Sequence, residues 1–510
     1  NVYYCKNNKE LIDTLRNLFY PIAPTINICS TSDKFFIKKH QNKRSAELIY
    51  WQHLGLKTSD SSSYNNKRVN AYAYSNKIFE YSPKTGESIR KEIVPGIYCY
   101  IPVTLNKDYK PNKSDTKRLK DELHLINDTL SVDNKFVRLA NIVITWNYVQ
   151  HFYPYFDVVK TDWERVLPKT LTNAIKDKNR KEFLNSLRQM MAYLDDGHAI
   201  TKDLLAEYGR LPIKIDLVEE KVIVVYSADT NEFKLGDVII GFDEKNIRDE
   251  LLQAESLISG SKQWKQTIAL ERICAGPKGS SVKIKIVRCN DTLSFHSLRN
   301  SNMYLDEDRP KFLKLDHNKV YVNLNTISMD EIYGHIEMIS KADGVIFDLR
   351  TYPKKNHEIL SYLINGKKIS QDWMRIPQII YPDHRKMKYK EIGWDLQPKD
   401  PQIKGDVVFI TSSRAISYAE SVLGFVEGYK LGEIVGQPTA GANGNIVIFI
   451  LLDEFEVWFT GMKVVKHDGS QHHTIGIEPT VYVEKTIEGV KSGRDEFLEK
   501  AIEVLDKKLN

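Results

Sequence analysis

Apolar residues recur along this chain at two different periods, and the period changes with position. Between about 135 and 196 they return every three or four residues, first as Leu139, Ile142, Val143, Trp146 and Val149, then as Phe183, Leu184, Leu187, Met190, Met191 and Leu194. That spacing gathers them on one face of a helix, so two helices are expected. The second should stop at Asp195-Asp196-Gly197, where glycine suits a left-handed C-cap, and His198 follows on the turn. From 205 to 298 the pattern is that of strands with one or two helices. Val222 to Val225 is a β-branched run, Leu235-Gly236-Asp237-Val238-Ile239-Ile240-Gly241 is a glycine turn entering a buried strand, and Ser281 to Arg288 alternates as a half-exposed strand does.

From about 317 strand and helix alternate. Val320 to Leu324, Val345 to Leu349 and Val407 to Thr411 are nearly continuous apolar runs, as expected of strands covered on both faces. A helix over 417–429 and a short strand over 433–436 complete a βαβ unit, which predicts a parallel sheet. Two apolar strands, 446–452 and 455–459, turn at Asp453-Glu454, and a terminal helix carries Phe497, Leu498, Ala501, Ile502 and Leu505. The first 115 residues are different. Short apolar runs (Phe35 to Ile37, Ile97 to Ile101) stand between polar turns such as 59–63, and Lys107 to Asp115 has linker composition. The expected organisation is an accessory N-terminal domain (1–115), a helical unit (116–204), a β domain (205–300) and an α/β core (301–510).

Composition narrows the function classes. The 510 residues are 42% hydrophobic and 27% charged, with a net charge of +6. That suffices for full cores without disulfide staples. The basic excess is too thin and scattered for a dedicated nucleic-acid binder. No run of about 18 apolar residues is present, so no transmembrane segment is expected. The chain opens on Asn1-Val2-Tyr3-Tyr4 with neither Met nor a signal-peptide apolar stretch, which fits a mature or trimmed form. Five cysteines (Cys5, Cys29, Cys99, Cys274, Cys289) form no CxxC pair and have no histidine cluster. Neither metal nor cofactor is expected, and one or two disulfides are allowed among the five, particularly the first three.

The richest stretch for chemistry runs from Thr411 to Glu420. Ser417 falls where a strand has ended and a helix begins. Unpaired amides and the helix dipole stabilise an oxyanion at such a place. The same position also suits a helix N-cap, and no G-x-S-x-G elbow is present. A nucleophilic serine needs a base, and His198 lies on a tight turn, although a histidine after a turn is commonly just a surface residue. Arg350 either pairs a substrate carboxylate or holds Asp348. Trp146, Trp163 and Tyr153-Pro154-Tyr155 are expected to pack the helical unit.

Five ordered motifs resemble those of the tricorn-type and C-terminal-processing serine peptidases. They are Leu194-Asp195-Asp196-Gly197-His198, Phe347-Asp348-Leu349-Arg350, Ser417-Tyr418-Ala419-Glu420, the loop Gly436 to Gly444, and Gly476-Ile477-Glu478-Pro479, where Thr480 replaces the usual Asp. Between the His and Ser motifs, residues 235–243 and 276–288 resemble a PDZ domain, a fold that binds peptide ends by strand addition. The resemblance implies an α/β fold with a ClpP/crotonase-like peptidase core. It also implies Ser417 as nucleophile, His198 as base, Tyr418 as an oxyanion donor, and Gly236, Asp237 and Val238 in substrate binding. Ala442 occupies the place of the dyad lysine used by the C-terminal-processing branch, so the base falls to His198. Asp468 and Glu478 are the candidates for the orienting acid. No glycine pair follows Arg350, so the second oxyanion donor must come from the amides of 352–355, apart from Pro353, which has none. The expected function is a serine endopeptidase acting on protein or peptide substrates, periplasmic or secreted as such relatives commonly are. The alternative is a catalytically impaired peptide-binding protein on the same scaffold.

Overall fold

The structure is a computed structural model that describes residues 4–30, 48–53, 66–70, 83, 84, 86–107, 109, 113, 117, 120, 121, 130–301, 309–366 and 368–509. The expected apolar run at 35–37, the polar turn at 59–63 and most of the 107–115 stretch lie outside the described residues. The chain divides into two compact units. One comprises Asn1–Val137, Asn147–Phe152 and Ile376–Lys390; the other comprises Arg138–Trp146, Tyr153–Arg375 and Glu391–Asn510.

In the first unit a helix over Asn8–Phe19 starts at Asn7, whose side chain accepts from the Glu10 amide. Its Ile12 and Leu15 pack on Ile28 and Ile97. Those two belong to an antiparallel sheet of Asn27–Ser30, Ile97–Pro102 and Ser88–Val94, in that spatial order. A second antiparallel sheet of this unit orders Asn66–Asn70, Leu48–His53 and Leu105–Asn106. All five cysteines are free, so the disulfides that the sequence allowed do not form.

The second unit holds the elements that follow, apart from both ends of its first helix. Helices α1 (Lys135–Phe152), α2 (Trp163–Lys176) and α3 (Arg180–Ala192) form the helical part. Helices α1 and α3 are expected from the sequence but α2 is not; it carries Pro168 in its interior and buries Trp163, Val166, Thr170 and Ala174 on one face. Trp146 and Trp163 each donate the indole N–H to the other's carbonyl, at 2.8 and 3.2 Å. Strand β1 (Thr201–Asp203) follows. An antiparallel sheet is then built from β2 (Ile213–Val218), β3 (Lys221–Ser227) and β4 (Val238–Phe242), with helix α4 (Lys262–Cys274) and strands β5 (Ser281–Arg288) and β6 (Asp291–Leu298) completing the layer. Its spatial order is β6-β5-β4-β3-β2. Ile213, Ile215, Val224, Ile239, Leu270, Ile284 and Ile286 share its core.

The central sheet orders β7 (Phe312–Leu315), β8 (Lys319–Asn323), β9 (Gly344–Asp348), β10 (Asp406–Thr411), β11 (Glu433–Gly436) and β14 (Val481–Tyr482). All its pairings are parallel except that of the edge strand β7, as the unbroken apolar runs predict. Crossover helix α5 (Met329–Ser340) starts with a capping box. Ser328 Oγ accepts from the Glu331 amide, and Glu331 accepts in return from the Ser328 amide. The crossover after β10 is α6 (Tyr418–Tyr429). One sheet face packs Tyr321, Ile346, Val408, Ile410 and Val435 on Phe497, Ala501 and Leu505 of the terminal helix α7 (Glu496–Leu509). Each fully buried Ile or Leu there contributes about 1.5–3 kcal/mol. The hairpin of β12 (Ile446–Ile450) and β13 (Phe455–Thr460) turns through Asp453 and Glu454, both at φ 60°, and β13 also pairs with β1.

Candidate active site

Strand β10 ends at Thr411, and the chain reaches α6 through a tight bend with Ser417 at its apex. Ser417 has φ 60° and ψ −111°, outside the extended region that an N-cap residue uses. A non-glycine residue held there costs about 1–3 kcal/mol. Its partners two residues away on either side, Ala415 and Ala419, are fully buried. Small residues at those places let the bend pack tightly against its surroundings. Ala415 and Ala419 thus occupy the places that glycines hold in G-x-S-x-G. The Tyr418 N–H, first in α6, has no hydrogen-bond partner among the described residues and remains available to a ligand.

The wall beside Ser417 is organised by a buried carboxylate. Glu420 Oε1 accepts from Thr439 Oγ1 at 2.5 Å and from the Gly441 amide at 2.7 Å, and Oε2 accepts from the Ala442 amide at 3.0 Å. His472 Nε2 lies 3.4 Å from Oε2. Burial pushes the Glu420 carboxyl up, but His472 and these donors outweigh it and hold the group below its ordinary range. The loop fixed in this way turns its Ala442 carbonyl to the Ser417 amide, at 2.9 Å.

His198 reaches the same loop from the other side of the sequence. Helix α3 ends at Ala192, and the left-handed residue beyond it is Asp195, φ 47°, not Gly197 as expected. Gly197 serves a close approach instead, since a Cβ built on it would sit 2.7 Å from the Ala442 Cβ and 3.2 Å from Trp264. Asp196 is wholly buried. Its Oδ1 accepts from the His198 amide at 2.9 Å and from Thr460 Oγ1 at 2.7 Å, and its Oδ2 accepts from the Thr460 amide at 2.7 Å. Thr460 Oγ1 also lies 2.9 Å from His198 Nδ1. A hydroxyl has one proton. If Thr460 gives it to Asp196, then Nδ1 must donate to Thr460, and the lone pair of the neutral ring sits on Nε2. Burial lowers the His198 pKa below 6.5, while the carboxylates of Asp196 and Glu420 partly offset the shift. The ring is therefore neutral at pH 7.

The other expected site residues are dispersed. Asp468 is exposed and accepts from the amide and hydroxyl of Ser470. Glu478 is also exposed, and neither carboxylate is hydrogen-bonded to His198. Asp237 is buried, with both oxygens on Arg288 at 2.7 and 2.6 Å, and Val238 opens β4, which has β3 on one side and β5 on the other. Gly236 (φ 80°) faces Lys491. Gly236 and Asp237 lie in the turn before β4, which is an interior strand of a sheet whose end strands are β2 and β6. Arg350 is buried between Asp348 and Asp495, which gives it the structural role. Among the backbone amides after Arg350, Lys354 donates to the Leu324 carbonyl, which leaves Tyr352 and Lys355. The Tyr352 ring stands 6.0 Å from that of Tyr418. Sequence reasoning missed Asp196, Thr460 and Glu420. Asp196 and Glu420 lie inside quoted motifs, whereas Thr460 carries no local signal at all.

Residues 318–483, from β8 to the end of the central sheet, match the model of peptidase family S41. Over those residues the chain is similar to the S41 peptidases. The S41 peptidases are serine hydrolases of peptide bonds, and the mixed α/β architecture agrees with theirs. Mature CPAF in complex with lactacystin has 13% identity to this chain, covers 72% of it and 97% of its own length, and superposes with a TM-score of 0.61. Mature CPAF alone gives 13%, 72%, 96% and 0.60. At that identity the likeness concerns the fold. The photosystem II D1 C-terminal processing protease has 15% identity over 72% of this chain and 97% of its own, with a TM-score of 0.42. No curated protein has a significantly similar sequence. No described helix is long and apolar enough to cross a membrane.

Proposed function

We propose that the S41 core is a working serine endopeptidase for polypeptide substrates, with Ser417 as nucleophile and His198 as general base. The observation that carries this reading is the chain from Asp196 through Thr460 to His198 Nδ1, because it leaves Nε2 as the basic nitrogen. Ser417 Oγ attacks the peptide carbonyl and its proton passes to Nε2. The imidazolium so formed is stabilised by the buried Asp196 charge, relayed by the Thr460 hydroxyl. Collapse of the tetrahedral intermediate moves that proton to the leaving amine, and water then releases the acyl group by the reverse sequence. The Tyr418 amide is one oxyanion donor, and the amide of Tyr352 or Lys355 is the second. Asp196 takes the acid's role for which Asp468 and Glu478 were the sequence candidates.

The domain over 205–300 reads as a PDZ-like substrate-binding module. Its peptide site is better placed at the open edge of β2 beside α4, in a cavity of about 440 Å3 that reaches Ser412 and Ser413, than at Gly236–Val238. A secreted or periplasmic location follows from the same family reading.

One feature favours the alternative, a peptide-binding protein on a peptidase scaffold. Of the four residues after Thr351, Pro353 has no N–H and Lys354 has spent its own on Leu324. Reaction with a fluorophosphonate probe decides between the two readings. Wild type should label covalently and Ser417→Ala should not, while identical behaviour of the two proteins removes Ser417 as nucleophile.

A further inference from the structure

The hairpin strand next to the candidate site has an open side. Asn445 accepts from the Gly461 amide at 2.9 Å, and the Leu451 amide donates to Phe455 at 2.7 Å. In an antiparallel ladder these pairs fix the direction of every second residue. Residues 445, 447, 449 and 451 therefore bond to β13, while Ile446, Ile448 and Ile450 turn their N–H and C=O groups outward. Among the described residues no strand pairs with that side, because the sheet order is β12-β13-β1. Exposed edges are ordinarily blunted with Lys, Pro or a bulge. Strand β12 reads Ile-Val-Ile-Phe-Ile and carries none of these.

The same three isoleucines point to the solvent face of the sheet. Ile448 is 42% exposed and Ile450 61%. Ile448 stands opposite Trp458, and the Trp458 amide bonds to the carbonyl of Ile200, itself 36% exposed. At the inner end Ile446 stands opposite Thr460, the residue bonded to His198. The apolar face thus begins one residue pair from the candidate base. Strand β12 itself leaves the loop whose Ala442 carbonyl holds the Ser417 amide, and four residues of extended chain span about 13 Å.

We propose that the outer edge of β12 receives the polypeptide substrate as an added strand, with apolar side chains at alternate positions lying over Ile446, Ile448 and Ile450. This rests on the peptidase reading of the same site and names its substrate class: extended, unfolded chain bearing apolar residues at every second position. The occupant is a substrate rather than a second copy of this chain because the edge runs directly into the Ser417 loop and the His198 turn.

Binding is measured without turnover in Ser417→Ala, by fluorescence anisotropy of a fluorescein-labelled octapeptide alternating valine and serine. Ile448→Pro in that background removes an outward N–H and no ladder bond, so an edge strand tolerates it. Ile450→Lys is a second variant that keeps every backbone donor. Each should weaken peptide binding at least tenfold, while fluorophosphonate labelling of the corresponding Ser417-containing variants stays within twofold of wild type. Unchanged peptide affinity in both variants overturns the proposal. So does a change in sedimentation from dimer to monomer with peptide affinity intact, which would make β12 a contact between copies. A wild type that fails to label, with peptide affinity still lost in both variants, refutes the peptidase reading and leaves the binding edge standing.

Discussion

Thr460 Oγ1 stands between the His198 ring and the Asp196 carboxylate, 2.9 Å from Nδ1 and 2.7 Å from Oδ1. The threonine converts a buried charge into a fixed tautomer. Thr460→Val keeps the shape and β-branching of the strand but removes the hydroxyl. It should lower kcat on a peptide substrate by roughly 100-fold, the scale of a misdirected general base, with KM little changed. Thr460→Ser should retain activity within a few-fold. Steady-state kinetics of the two variants check this, and equal activity of the Val and Ser variants would rule the relay out.

The acid limb of the pH profile should report His198. Its pKa lies below 6.5 because burial disfavours the cation, and only the neutral ring accepts the serine proton. Activity should therefore persist below pH 6.5 and fall only as pH drops through the lowered value. Asp196→Asn removes a carboxylate that raises that pKa, so the midpoint should move further down while the plateau falls. Stability has the same sign. The unfolded chain takes up a proton on this histidine below about 6.5 and the folded one does not, so stability is lost as pH falls beneath that value. A kcat/KM profile of wild type and Asp196→Asn measures the shift.

Gly197 and Ala442 make a paired prediction. Adding one methyl at 197 forces two Cβ atoms to 2.7 Å, and overpacking of this kind costs about 1–3 kcal/mol. Gly197→Ala should lose at least tenfold in kcat/KM and unfold at lower urea concentration. Ala442→Gly in the same chain should recover part of both losses, although Trp264 still crowds the site. A double-mutant cycle gives the coupling, and additive losses would show that the contact does not set the approach of the two loops.

The core strands were legible because Val320 to Asn323, Val345 to Asp348 and Val407 to Thr411 are apolar on both faces, and only a covered parallel sheet buries such runs. Helix α2 was not expected, because its interior Pro168 reads as a helix breaker, although Trp163, Val166, Thr170 and Ala174 share one buried face. Within the site, the resemblance of the motifs around Ser417 and His198 singled them out; their local positions alone suited an N-cap and a surface histidine equally well. The reason for Gly197 was not readable, because glycine serves a left-handed bend and a close contact equally well in a sequence. Thr460 was beyond reach in principle, being separated from His198 by 262 positions and resembling any other strand threonine. The burial of Asp237 against Arg288 was likewise unreadable, because the two are 51 positions apart.

The relay through Thr460 also governs when the molecule becomes dangerous to its neighbours. The histidine emerges early in synthesis and the serine much later, yet the residue that sets the tautomer is made later than either. The histidine loop that anchors Glu420 follows it. On the proposed mechanism, a chain still being made, or one interrupted before this point, carries Ser417 and His198 but lacks Thr460 and His472. On that mechanism the order of the sequence postpones peptidase activity until the chain has passed Thr460 and His472.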